Sequence, residues 1–91
     1  MLSRIFVETC WKRKNNPRST IPKIEQEIYH SVIRDIRDLG GNIFYSHNSE
    51  YSIETGDISS TIHFEIDRKD APTIMKLLKE NHSCIVSIKY I

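Results

Sequence analysis

Glycine is scarce in this 91-residue chain, confined to Gly40, Gly41 and Gly56. The sequence therefore has no GxxxxGK[ST] or GxGxxG loop, in which closely approaching backbone N–H groups cradle a phosphate. Cysteine is scarcer still. Cys10 and Cys84 are too few for a disulfide scaffold, lack CxxC-type metal spacing, and suit a reducing compartment as two thiols. The histidines, His30, His47, His63 and His82, match neither HxxxH nor HExxH, so no metal or other cofactor is expected. Long apolar runs are missing too, and a membrane-spanning helix needs about eighteen such residues. Charge arrives at Arg4 and Glu8, too early for the apolar region of a signal peptide. The expectation is a cytoplasmic protein with no membrane contact.

Charge of either sign is nearly balanced, at +1 net, which disfavours strong nonspecific binding to a polyanion. Its distribution is uneven. The stretch WKRKNNPRST holds Lys12, Arg13, Lys14 and Arg18; without these four of the thirteen basic residues, nine face twelve acidic ones. With 38% apolar and 27% charged residues, the chain has the composition of a globular protein, read as one domain over residues 1–91.

The pattern of what is present predicts six elements. Ile5, Val7 and Thr9 alternate with Arg4, Phe6, Glu8 and Cys10 in a first strand. After the basic loop, Thr20 is a good N-cap and Pro22 fits a first helical turn. Ile24, Ile28, Val32, Ile36 and Leu39 then form one stripe of a helix over residues 20–39, which Gly40-Gly41 stops. Residues 42–46 make a second strand that continues into a hairpin, with a turn at Gly56-Asp57. Residues 58–66 return as a third strand, with Ile62, Phe64 and Ile66 on one face. Asp70 and Pro72 open a second helix striped by Ala71, Ile74, Met75 and Leu78. In the last strand Cys84, Val86, Ile88 and Tyr90 alternate with Ile85, Ser87, Lys89 and Ile91.

The order β-α-β-β-α-β implies an α+β, ferredoxin-like sandwich: a four-stranded antiparallel sheet ordered 4-1-3-2, with two helices on one face. Val86 and Ile88 then face inward with Ile5, Val7, Ile62, Phe64 and Ile66. The open face carries Arg4, Phe6, Glu8, Thr61, His63, Glu65, Ser87 and Lys89, a set able to form cross-strand charge pairs.

On that face the hexapeptide IFVETC (residues 5–10) resembles the first-strand motif of RNA-recognition-motif domains. The resemblance implies that Phe6 stacks on a base and that basic residues of the loop at 12–18 meet phosphates. The third strand, DISSTIHFEI, departs from that family's Lys/Arg-Gly-aromatic signature, and Glu8 and Glu65 would repel phosphate. Acylphosphatases share the topology, but KRKNNPRST lacks the glycines of their anion loop. No catalytic set assembles, so no enzyme is expected.

The leading expectation is a non-enzymatic interaction or regulatory module, a homodimer or the partner of a larger protein. Apolar side chains with no evident place in a monomer's core carry it: Phe6, Trp11 at a strand end, Tyr51 and Ile53 in the hairpin, and Ile85 on an edge strand. The alternative is a single-stranded RNA binder using Phe6 with Lys12, Arg13, Lys14 and Arg18. The acidic hairpin (Glu50, Glu54, Asp57) lies at the same end as the basic loop and is placed to neutralise it.

Overall fold

The computed structural model describes residues 1–15, 18 and 20–91; the side chains of Ile21, Glu25, Ile28, Tyr29 and residues 47–50 lie outside what is described. β1 (Leu2–Trp11) is followed by a 3-10 turn (Arg13–Asn15), α1 (Ile21–Ile28), a π-helical turn (Tyr29–Ile33) and α2 (Arg34–Asp38). β2 (Asn42–Tyr51), β3 (Ile58–Asp67), α3 (Ala71–Asn81) and β4 (Ile85–Tyr90) complete the chain. The strands form one antiparallel sheet in the order β2-β3-β1-β4, which reads 4-1-3-2 from the β4 edge.

β1 sits between β3 and β4 and pairs with β3 along all ten of its residues, from Leu2↔Asp67 to Trp11↔Ile58. Its alternation sends Ile5, Val7 and Thr9 to the helix side, where each is fully buried. Ile58, Ile62, Phe64 and Ile66 of β3 join them, against Ile24, Val32, Ile33 and Ile36 from the first helical segments and Ala71, Ile74 and Leu78 from α3. Two hydroxyls lie within this apolar layer: Thr9 Oγ1 and Ser60 Oγ hydrogen-bond to each other at 2.6 Å, so neither is left unsatisfied.

The helix expected over residues 20–39 is interrupted by the π turn at Tyr29–Ile33. Within that turn both Val32 and Ile33 are buried in the core. At the start of the segment, the Thr20 side chain accepts a hydrogen bond from the Lys23 N–H, as its capping role requires. At the end, Gly40 N–H bonds the Arg37 carbonyl and Gly41 N–H the Ile36 carbonyl, a Schellman closure with Gly40 at φ +95°. Gly41 has a separate reason: a Cβ there would lie 2.6 Å from the Ile36 side chain and 3.0 Å from the Phe64 ring. Leu39, placed on the stripe by its spacing, is exposed. Asp70 occupies the N-cap position of α3 but makes no capping bond with its side chain.

The last strand differs from the simple alternation. Val7 faces Ile88 and Glu8 faces Ser87, but Thr9 faces Ile85, leaving Val86 as an extra residue. This bulge reverses the expected orientations at its two central positions. Ile85, expected on an outward edge as a partner contact, is a core residue at 9% exposure, and Val86, expected inward, is 60% exposed.

The buried hydroxyl pair yields a stability prediction. Thr9→Val removes one partner and leaves the Ser60 hydroxyl orphaned, so it costs about 1–3 kcal/mol. Adding Ser60→Ala recovers part of that loss, measurable as a non-additive cycle in urea unfolding; strict additivity of the two changes contradicts the pairing.

Candidate functional site

The side of the sheet away from the helices carries the candidate site, and strand register arranges it in transverse rows. Tyr45 faces His63, His63 faces Phe6, and Phe6 faces Lys89, so one row crosses all four strands. The rings touch: the Phe6 and His63 centroids are 5.0 Å apart, edge to face, and those of Tyr45 and His63 are 4.9 Å apart. Lys89 Nζ lies 5.2 Å from the Phe6 centroid, over the ring. Such cation–π and aromatic contacts contribute roughly 0.5–1.5 kcal/mol each.

A bulge in β2 enlarges the row. Ile43 faces Phe64 and Tyr45 faces His63, which leaves Phe44 as the extra residue between them. Phe44 packs edgewise on His63 at 5.9 Å between centroids, and the Arg4 guanidinium lies 5.3 Å from its centroid. Two consecutive aromatics thus share a face that strict alternation would have divided between them. Both are about half exposed, Phe44 at 46% and Tyr45 at 48%. Neither was expected on this face, and only the unbroken run Phe44-Tyr45 hinted at it.

The neighbouring row runs Asn42, Glu65, Arg4. Arg4 Nε donates to Glu65 Oε1 at 2.9 Å, one of the cross-strand pairs that the alternation allowed. On the other side of the aromatic row lie Thr61, Glu8 and Ser87. The face therefore has an aromatic centre flanked by charges of both signs.

The basic loop has a different environment. The Arg13 backbone N–H donates to Asp57 Oδ1 at 3.0 Å, Arg13 Nε donates to the Gly56 carbonyl at 3.3 Å, and Lys12 Nζ lies 3.9 Å from Asp57 Oδ2. The loop is thus docked on the hairpin turn, where Gly56 adopts φ +75° under the Arg13 side chain. Among the described residues Asp57 is an acidic hairpin residue that makes this contact; Glu54 is exposed, and the Glu50 side chain lies outside the described residues. Lys14 and Arg18 are exposed. Tyr51 is half exposed and Ile53, at the hairpin tip, is 91% exposed.

Trp11 packs partly buried against the core, and among the described residues its indole N–H has no acceptor. With Cys10, Lys12, Asn15, Ser83, Cys84 and Val86 it lines a groove of about 410 Å³ where β1 ends and β4 begins. Cys10 N–H bonds the Cys84 carbonyl at 2.8 Å, yet both cysteines are free thiols. Burial, assisted by the Glu27 carboxylate, pushes the Cys84 thiol up to about 11. His82, which follows α3, is instead tied to α2, its Nε2 2.7 Å from Asp35 Oδ2. Among the described residues no three His, Cys, Asp or Glu side chains gather as a metal-binding group, and no helix is long and apolar enough to cross a membrane.

The site thus belongs to a small α+β domain whose four-stranded antiparallel sheet is covered by helices on one face. That architecture is similar to the solution structure of the C-terminal domain of the MgtC protein from Mycobacterium tuberculosis, with a TM-score of 0.58 at 10% sequence identity. The match covers 99% of this chain and 86% of that one. At this identity the likeness concerns the fold. No protein-family model matches the chain, and no curated protein matches its sequence.

The groove and the docked loop can each be probed directly. A thiol held near 11 carries about a hundredfold less thiolate at pH 8 than one at the ordinary 9.0. Iodoacetamide should therefore modify Cys84 far more slowly in the folded protein than in urea, as read by peptide mass; equal rates contradict its burial. The unfolded chain loses this proton first, so stability falls as pH rises from 9.0 towards 11. Asp57→Ala removes the carboxylate that accepts the Arg13 N–H, leaving the Gly56 carbonyl contact, and should cost about 1–2 kcal/mol, with amide exchange rising at Arg13; unchanged exchange there contradicts the docking.

Proposed function

We propose that this chain is a non-enzymatic protein-interaction module of ferredoxin-like architecture, acting in the cytoplasm through the open face of its sheet. The observation that carries the reading is the aromatic row Phe44/Tyr45–His63–Phe6, half exposed at Phe44 and Tyr45 and half-buried at His63 and Phe6, bordered by Arg4 and Lys89 on one hand and Glu8 and Glu65 on the other. Aromatic centres with a polar, mixed-charge rim are how specific protein interfaces are built.

The edges of the sheet favour the face over strand addition. β4 carries the Val86 bulge and β2 is broken in register twice, between Ile43 and Tyr45 and between His47 and Glu50. Bulged edges make poor templates for a further strand. Of the residues expected to meet a partner, Phe6 lies within this row; Trp11 serves the groove, Ile85 the core, and Tyr51 and Ile53 the far end of the hairpin.

The RNA reading draws less support. The Phe6 and Phe44 rings each have a cation over them, two carboxylates share the face, and Asp57 engages Lys12 and Arg13 away from the row. A base seeking to stack there must displace Lys89 or Arg4, and its phosphates must approach Glu8 and Glu65.

The reading is tested by affinity capture with the wild-type chain, a Phe44→Asp variant and an Ile53→Ser variant. The face variant should lose its bound protein while the hairpin-tip variant keeps it. Retention by Phe44→Asp contradicts the reading, as does salt-sensitive binding of mixed single-stranded RNA that Phe6→Ala abolishes.

A further inference from the structure

Resting on the open face as the interaction surface, we infer that its occupant is a second copy of this chain, packed face to face about a two-fold axis that runs along the strands between β1 and β3. The ground for this is how each transverse row is distributed across that line. The axis exchanges the β1 position of a row with the β3 position of the same row in the other copy, and the β4 position with the β2 position. Applied to the charged row, it sets Arg4 against Glu65 of the second copy and Glu65 against Arg4 of the second copy. Applied to the aromatic row, it sets Phe6 against His63, and Lys89 against Phe44 and Tyr45. In the third row it sets Glu8 against Thr61. Among the described residues every cation of these rows therefore meets a carboxylate or an aromatic ring, and the operation brings no two like charges together.

This self-complementarity follows from which residues the register pairs. The register makes Arg4 and Glu65 direct partners across β1 and β3, and likewise Phe6 and His63. The same pairs that stabilise one sheet are thus repeated between two. Sheets that pack face to face keep their strands within about 30° of alignment. The offset is smallest near the axis, on the two central strands that carry Arg4, Phe6, His63 and Glu65. Size is sufficient as well: three strands of ten residues and one of six, at about 3.4 Å per residue and about 4.8 Å between strands, present roughly 590 Å² per copy. Two copies would bury about 1,200 Å², at the lower end of the range of specific interfaces.

Charge reversal and mixing test the arrangement. The wild-type chain should sediment at twice its 10.7 kDa mass at roughly 100 µM. Arg4→Glu sets a carboxylate against Glu65 of the other copy, and Glu65→Arg sets a guanidinium against Arg4 of the other copy. Each variant alone should therefore dimerise about tenfold more weakly or worse. In an equimolar mixture of the two, opposite charges meet again across the interface, and the heterodimer should be recovered. Recovery on mixing cannot arise from the intramolecular pair, which stays broken in both variants, and it shows that both are folded. A wild-type monomer at that concentration, or a dimer indifferent to both reversals, overturns the inference. If the chain is monomeric while Phe44→Asp still loses a captured protein, the face retains its role and only the identity of its occupant is wrong. If both experiments are negative, the reading of the face fails with it.

Discussion

The pairing of β1 with β3 along ten residues is the constraint on which the rest of the structure depends. Once Leu2 stands opposite Asp67, the two-residue period of the strands decides every side at once. Ile5, Val7 and Thr9 meet Phe64, Ile62 and Ser60 beneath the helices, and Arg4, Phe6 and Glu8 meet Glu65, His63 and Thr61 on the other face. A slip of β1 by one residue against β3 would send Phe6 into the core and Val7 into water while His63 and Ile62 kept their sides. The buried Thr9–Ser60 hydroxyl pair opposes such a slip from within, because either hydroxyl alone would be unsatisfied. The candidate site is the reverse side of the same register, and its rows exist because the core is aligned.

Irregularities at the edges then shape what the central strands have aligned. The β2 bulge brings Phe44 beside Tyr45 over His63, widening the aromatic row at one end. The β4 bulge commits Ile85 to the core and turns Val86 outward, leaving the other end of the row to Lys89. Both bulges also interrupt the hydrogen-bonding edges. The result is a sheet whose outer strands are irregular in register while the aromatic row across its face is continuous. The docking of the basic loop against Asp57 fits this division, since it engages Lys12 and Arg13 at one end of the sheet, apart from the aromatic row.

Much of this was legible in the chain because it depends on periodicity. The alternation at residues 4–10 and 58–66 assigned the inward and outward sets of both central strands, and the Thr20 cap and Gly40-Gly41 stop marked the helical segment. What was not legible depends on one-residue insertions that leave no residue signature of their own. Ile33 gave no sign that a π turn would carry it inward beside Val32. Nothing in CIVSIKYI distinguishes a regular strand from one bulged at Val86, so Ile85 and Val86 were assigned to each other's side. Phe44 was invisible as a face residue for the same reason, since simple alternation opposes it to Tyr45. The Arg4–Glu65 pair, by contrast, was among the pairs that alternation allowed, although its exact partner required the register.

The central claim is that the row Tyr45–His63–Phe6–Lys89 is a surface that meets another copy of itself. The most direct measurement is an isotope-filtered NOE experiment on an equal mixture of carbon-13-labelled and unlabelled chains. The account predicts intermolecular contacts between the Phe6 and His63 ring protons, accompanied by contacts from the Lys89 methylenes to Phe44 or Tyr45. Ring contacts confined to single molecules at a concentration where the chain is dimeric would contradict it.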